Sequence, residues 1–264
     1  MSLRTALWTV MTAAAQKAAR GLKRDFGEVE QLQVSRKGPS DFVSAADIRA
    51  EKVLRIELAK ARPKFGFLME ESGETKGEDG HHRWIVDPID GTTNFLHGIP
   101  HFAISIGLEM DGEIIAGLVF NPITDEMFYA EKGKGAFLND RRLRVSARDT
   151  LGDALLATGI PFRGRPGHAP FLVELERVMP AVAGVRRAGT ASLDLAYVAA
   201  GRYDGYWEKG LQPWDIAAGI LLVREAGGFI SDFTGGKEDL AKGHVVAVNA
   251  KLQRPLLDLL AGKA

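Results

Sequence analysis

The chain contains no cysteine. That absence excludes disulfides, thiolate zinc sites and a cysteine nucleophile. No sign of charge is in excess: 34 Lys plus Arg balance 34 Asp plus Glu. A neutral chain lacks the electrostatic footprint expected for direct binding to nucleic acid or to an acidic membrane. No stretch approaches the ~20 apolar residues of a membrane span. Ala6 to Ala15 is mostly apolar, but Thr9 and Thr12 interrupt it, and Lys17, Arg20 and Lys23 follow. Leu3, Leu7, Val10, Met11 and Ala14 fall at helical spacing, which predicts an amphipathic surface helix in preference to a signal peptide. The expected location is cytoplasmic. Histidine offers no helical zinc pair. His97 and His101 are four apart, but Gly98 stands where a zinc protease has its glutamate, and Gly98 and Pro100 oppose a helix there.

What is present suits a globular fold. The 264 residues, 45% of them hydrophobic, can bury a sizeable core in one large domain or two ordinary ones. The first part predicts a helix over 3–24, a short strand over 31–35, a loop over 37–41, and a helix over about 46–61 ended by Pro63. A strand follows over 65–69, then a charged, glycine-rich loop over 73–81. From His101 the pattern changes to period two with tight turns at Asp111-Gly112, Asn121–Asp125 and Gly133–Gly135, which predicts an antiparallel meander. After about Thr150, strands over 154–157, 185–187, 203–208, 229–230 and 244–248 alternate with helices over 170–178, 193–200, 216–226 and 252–260. The fold class is thus α+β over residues 1–148 and α/β over residues 149–264.

Trp84 to Phe95 carries the chemistry. Trp84-Ile85-Val86 reads as a buried strand that Pro88, lacking an N–H, should stop. Asp87 and Asp90 then sit on a turn at a strand end. Gly91 allows close approach to the backbone, and a helix starting there would offer free N–H groups to an anion. Acidic ligands beside an anion cradle suit a hard metal ion holding a phosphate, although Asp-Pro and Asp-Gly are also common turn dipeptides. Further acids stand at other element ends: Glu70-Glu71 after the strand over 65–69, Asp47 just inside the second helix, and Asp215 after Trp214 at the start of a long apolar helix.

In this arrangement the sequence resembles the inositol monophosphatase family, the magnesium-dependent, lithium-sensitive sugar-phosphate phosphatases. The resemblance rests on Asp47, Glu70-Glu71, Asp87-Pro88-Ile89-Asp90-Gly91-Thr92, and Trp214-Asp215 with eleven residues before Gly227-Gly228. It runs from about residue 5 to residue 255. It implies a layered α-β-α-β-α sandwich of the inositol monophosphatase and fructose bisphosphatase type, commonly dimeric, with the metal site in the cleft between the two parts. Carried over, the metal ligands are Glu70, Asp87, the Ile89 carbonyl, Asp90 and Asp215. They would hold on the order of two or three Mg²⁺ ions, and an oxygen-only set favours Mg²⁺ over Zn²⁺. The catalytic residues are Glu70 and Thr92, beside an attacking metal-activated water, with Asp90.

The same resemblance gives phosphate to the backbone of Gly91 and Thr92, and substrate hydroxyls to Gly189, Thr190, Ala191, Glu208 and Asp215. Each of these has a second reading: Gly189-Thr190 as a plain helix N-terminus, Glu208 as a buried strand-end acid. Lys37, Asp47 and Arg187 are further candidates. Arg187 suits a phosphate, a carboxylate or a partner subunit. The implied reaction is hydrolysis of a small polyol phosphate, foremost inositol monophosphate. Fructose bisphosphate, histidinol phosphate and nucleotide 3′-phosphate share the same phosphate machinery. Some bacterial relatives act through protein partners in ribosomal RNA transcription complexes, which gives a non-catalytic alternative.

Overall fold

The structure is a computed structural model. It describes residues 5–28, 34–38, 41–162, 164–237 and 240–263, with the backbone alone at 34–38 and 41–43. Helix α1 (Ala6–Gly27) begins where the Thr5 hydroxyl accepts the Trp8 amide at 3.0 Å. Strands β1 (Val34–Gly38) and β2 (Asp41–Ser44) form an antiparallel hairpin. Helix α2 (Ala45–Ala61) opens on a capping box between Ser44 and Asp47, which satisfies two amides that the helix cannot. Then come β3 (Gly66–Met69), β4 (Gly73–Thr75), β5 (His82–Asp90), the short helix α3 (Thr92–Leu96), β6 (Ala103–Met110), β7 (Glu113–Asn121), β8 (Glu126–Glu131), β9 (Gly135–Leu138) and β10 (Arg141–Arg142). The eight strands β3 to β10 make one sheet in the order β10-β9-β8-β7-β6-β5-β3-β4. Its pairings are antiparallel except for β3 with β5.

The second half contributes β11 (Leu155–Thr158), α4 (His168–Val178), β12 (Gly184–Arg186), α5 (Ala191–Ala199), β13 (Gly205–Glu208), α6 (Pro213–Glu225), β14 (Phe229–Ser231), β15 (Val245–Val248) and α7 (Gln253–Ala261). Its strands form a sheet in the order β12-β11-β13-β15-β14, parallel at β12, β11 and β13 and antiparallel at β15 and β14.

The layers are the expected α-β-α-β-α sandwich. Helices α1 and α2 cover one face of the large sheet through Met11, Leu22, Leu54, Trp84 and Ile106. Helices α5 and α6 lie between the two sheets, and α4 and α7 cover the far face of the small one. This explains the apolar run of α6. Ile216 to Val223 are all buried, as a helix with a sheet on either side requires.

Three local expectations are corrected. Pro88 does not stop its strand: β5 runs through to Asp90, and the register against β6 slips between Asp87 and Asp90. The missing N–H of Pro88 falls in that bulge, where no ladder bond is lost. The loop expected over 37–41 is mostly hairpin, because Lys37, Gly38 and Asp41 belong to β1 and β2. The glycine-rich stretch after Glu71 supplies an edge strand, β4, paired antiparallel with β3. Residues 31–33 of the strand expected over 31–35 lie outside the described residues.

Candidate active site

Parallel pairing sets Met69 of β3 opposite Val86 of β5, and the Glu70 amide donates to the Val86 carbonyl at 3.2 Å. Glu70, just past the end of β3, therefore lies beside Asp87 of β5. Asp87 lies opposite Ser105 of β6, whose hydroxyl donates to the Trp214 carbonyl at 3.0 Å. That bond pins the start of α6 to the same edge and carries Asp215 with it. Asp215 also accepts the Gln212 amide at 2.8 Å, closing the cap of α6. Asp87 accepts the Ile89 amide at 2.9 Å across Pro88. Asp90 accepts the Ser192 amide at 2.6 Å, which ties it to α5.

One carboxylate oxygen from each of Asp87, Asp90 and Asp215 consequently lies within 4.8 Å of the other two. Two such charges about 4 Å apart repel by roughly 4 kcal/mol at an effective dielectric near 20. Burial, followed by repulsion from Glu70, Asp90 and Asp215, holds Asp87 well above the carboxylate range. Asp215 is raised by burial and by Asp90. Burial pushes Asp90 up to about 7 despite the lowering influence of Ser192. The group resists ionisation on its own. A hard divalent cation removes that resistance, and the donors are all oxygen, so the residues present fit Mg²⁺ or a similar ion.

Asp47 is fully buried beside this group. Its carboxylate accepts the Ser44 amide at 2.8 Å and the Thr92 hydroxyl at 3.1 Å. Burial raises it to about 6. The same Thr92 hydroxyl lies 3.1 Å from the Ile89 carbonyl. Gly91 caps α3 at φ +95°, and a Cβ there would meet the Thr190 hydroxyl at 2.5 Å. Glycine is needed at this point to admit Thr190, where the sequence suggested a close ligand. Thr190 is the N-cap of α5, yet its hydroxyl donates to the His101 carbonyl at 2.9 Å and caps no helix amide. Asn94 locks the same corner by donating to the carbonyls of His101 and Ala188, at 2.8 and 2.9 Å.

Glu208 ends β13, mostly buried, and accepts from the Tyr206 hydroxyl. Burial raises its carboxyl. A Cβ on Gly159 would lie 1.9 Å from that carboxyl group, so only glycine fits opposite it. Arg187 is exposed at the rim.

Glu70, Asp87, Ile89, Asp90, Gly91, Thr92, Arg187, Gly189, Thr190, Ala191, Glu208 and Asp215 all line one cavity of about 350 Å³. Asp47 reaches it through Thr92. Lys37 stands in β1, and its side chain lies outside the described residues. Gly159, Phe162, Arg165 and Leu211 also line the cavity, and sequence reasoning missed them. Only the run Gly159 to Gly167, dense in Gly and Pro, hinted at a loop there.

The model of the inositol monophosphatase family matches residues 4–263. The chain belongs to that family. An inositol-1-monophosphatase of Mesorhizobium japonicum is 62% identical over 254 residues, 96% of each chain. A Pseudomonas aeruginosa relative named Nus factor SuhB is 48% identical, over 92% of each chain. A crystal structure of the extragenic suppressor protein suhB from Bartonella henselae superposes with TM-score 0.95 at 60% identity. That alignment covers 97% of this chain and 98% of the other. The inositol monophosphatase fold is thus the frame on which the acidic cluster is built.

Proposed function

We propose that this protein is a phosphoric monoester hydrolase that releases phosphate from a small polyol phosphate, foremost inositol monophosphate. The observation that carries the reading is the cluster of buried Asp87 and Asp90 with half-buried Asp215, lining one cavity with Glu70 and Glu208. The 62% identical relative named inositol-1-monophosphatase supports it. Fructose bisphosphate, histidinol phosphate and nucleotide 3′-phosphate are the rival substrates within this chemistry.

Glu70, Asp87, the Ile89 carbonyl, Asp90 and Asp215 would hold Mg²⁺. When bound, it supplies positive charge that neutralises the carboxylates, polarises the phosphoryl group and acidifies water. Glu70 takes the proton of the attacking water. Thr92 orients that water, and Asp47 fixes the Thr92 hydroxyl. The backbone of Gly91 and Thr92 holds phosphate oxygens, while Gly189, Thr190, Ala191 and Glu208 meet the polyol. Arg187 guards the rim with positive charge. Residues 1–148 thereby supply most of the metal ligands, and residues 149–264 supply Asp215 and the polyol contacts. The protein works as a cytoplasmic, lithium-sensitive dimer.

Phosphate release from a panel of sugar phosphates, with and without Mg²⁺, tests this. Magnesium-dependent release by the wild type and none by Asp90→Asn is expected. Release that ignores Mg²⁺, or that persists in Asp90→Asn, contradicts the reading.

The relative named Nus factor SuhB supports a second role, through protein partners in ribosomal RNA transcription complexes. Cells lacking the protein would be rescued by Asp90→Asn if that role is the one they need.

A further inference from the structure

A second cavity, of about 390 Å³, lies beside the acidic one. Its size falls in the roughly 300–1,000 Å³ range of small-molecule sites. Ile160, Pro161, Phe162, Pro170, Phe171 and Trp207 give it mostly apolar walls. The two cavities share Gly159, Phe162, Arg165 and Glu208, so they meet at the carboxylate assigned above to the substrate's hydroxyls.

The polar groups of the second cavity are largely occupied with one another. Arg165 lies 4.4 Å from the centre of the Phe162 ring and donates to the Gly210 carbonyl at 2.9 Å. Lys209 pairs with Glu174. His244 Nδ1 accepts the Gly210 amide at 3.2 Å. Most of the surface left for a ligand is apolar, with the remaining donors and acceptors at the edge shared with Glu208. A compact polyol gains little against such walls, because its hydroxyls would lose water over surface that is mostly apolar. An apolar ring gains by leaving water.

We propose that the second cavity receives the alcohol side of a further substrate class, phosphate monoesters of alcohols that bear an apolar ring. The proposal rests on the phosphatase reading. The phosphate sits in the acidic cavity, the ester oxygen near Glu208, and the ring against Phe162 and Phe171. The reaction is the same hydrolysis. The oxygen of water bonds to phosphorus and the bond from phosphorus to the alcohol oxygen breaks. The alcohol oxygen takes a proton, leaving inorganic phosphate and the free alcohol.

Ile160 allows a clean test, because it is 41% exposed and lines only the apolar cavity. With Mg²⁺, the wild type is expected to hydrolyse 2-naphthylmethyl phosphate with kcat/KM within about tenfold of that for inositol 1-phosphate. Ile160→Asp puts a charge in the wall and Ile160→Trp fills the space. Each should lower kcat/KM for the naphthyl ester by about tenfold or more relative to inositol 1-phosphate. That ratio does not depend on the fraction of enzyme that folds. Release from inositol 1-phosphate with none from the naphthyl ester overturns this inference and leaves the phosphatase reading standing. An unchanged ratio in both variants also overturns it. No release from either ester removes the phosphatase reading, and the inference with it.

Discussion

Three carboxylates crowded within 4.8 Å oppose folding when no cation is present, and the same crowding is what binds one. Replacing one of them should therefore have opposite effects on stability and on turnover. Asp90→Asn keeps the acceptor for the Ser192 amide and removes a buried charge. It is expected to stabilise the metal-free protein by about 1–2 kcal/mol, and to lower phosphate release by at least about 10³-fold. Melting curves in chelator and in Mg²⁺, beside the release assay, check both. A drop in metal-free stability would mean that the cluster holds the fold together even without a cation. Thr92 makes a finer point. Its single hydroxyl proton faces both Asp47 and the Ile89 carbonyl. Thr92→Val keeps the shape and loses the hydroxyl. It should cut kcat by about 10²-fold with Mg²⁺ affinity within about twofold, since no ligand carboxylate moves. A change confined to KM would count against Thr92 as the orienter of water.

Elements decide how closely those residues approach. The turn from Gln212 into α6 presents Asp215, and α6 reaches the large sheet because small residues face each other. A Cβ on Gly117 of β7 would lie 2.8 Å from the Ala218 carbonyl oxygen and 2.9 Å from the Ala218 Cα. Gly117→Ala must push backbone against backbone. We expect it to cost about 1–3 kcal/mol and to weaken Mg²⁺ binding as Asp215 shifts, measured by denaturant unfolding and by metal titration. Loss of stability with unchanged metal affinity would show that the Ser105 bond to Trp214 and the Gln212 cap position Asp215 without this packing. The turns of the meander from β6 to β9 were legible in the sequence because they are local events. Asp111-Gly112, Asn121–Asp125 and Gly133–Gly135 each carry their own signal, whereas sequence reasoning missed the cap that Ser44 makes with Asp47. Pro88 misled because a bulge depends on the partner strand. The antiparallel return of β15 between β13 and β14 had no local sign either. The acids were legible because the motif packs them into short stretches. Arg165 and Gly159 were not, since tertiary packing alone brings their loop to Glu208.

At the scale of the whole molecule, the buried acids should make stability depend on pH in a direction that magnesium reverses. Asp47 is raised to about 6 and Asp90 to about 7 from 3.8, while Asp87 and Asp215 lie well above that value. The native state thus holds protons that the unfolded chain has released. Stability of the metal-free protein is greatest near pH 5 and falls as pH rises through 6 and 7. From Asp47 and Asp90 alone the loss from about pH 4 to pH 8 should be on the order of 6 kcal/mol. The lowered carboxylates, such as Asp79 at about 2, lose their stabilisation as pH falls below about 5, so they leave the fall between pH 5 and 8 unchanged. His101, lowered by burial, acts in the opposite direction around neutrality, and the raised His81 adds to the fall. Comparison with Asp90→Asn removes both histidine contributions, because they are common to the two proteins. If Mg²⁺ is the ion as proposed, it would bind the ionised cluster, so its stabilising increment should grow with pH, and it should be smaller and flatter in the variant. Thermal melts from pH 5 to 8, in chelator and in Mg²⁺, give all four curves. A wild-type increment that does not grow with pH would mean that the cluster is already ionised without metal. The buried acids would then need a source of positive charge within the fold.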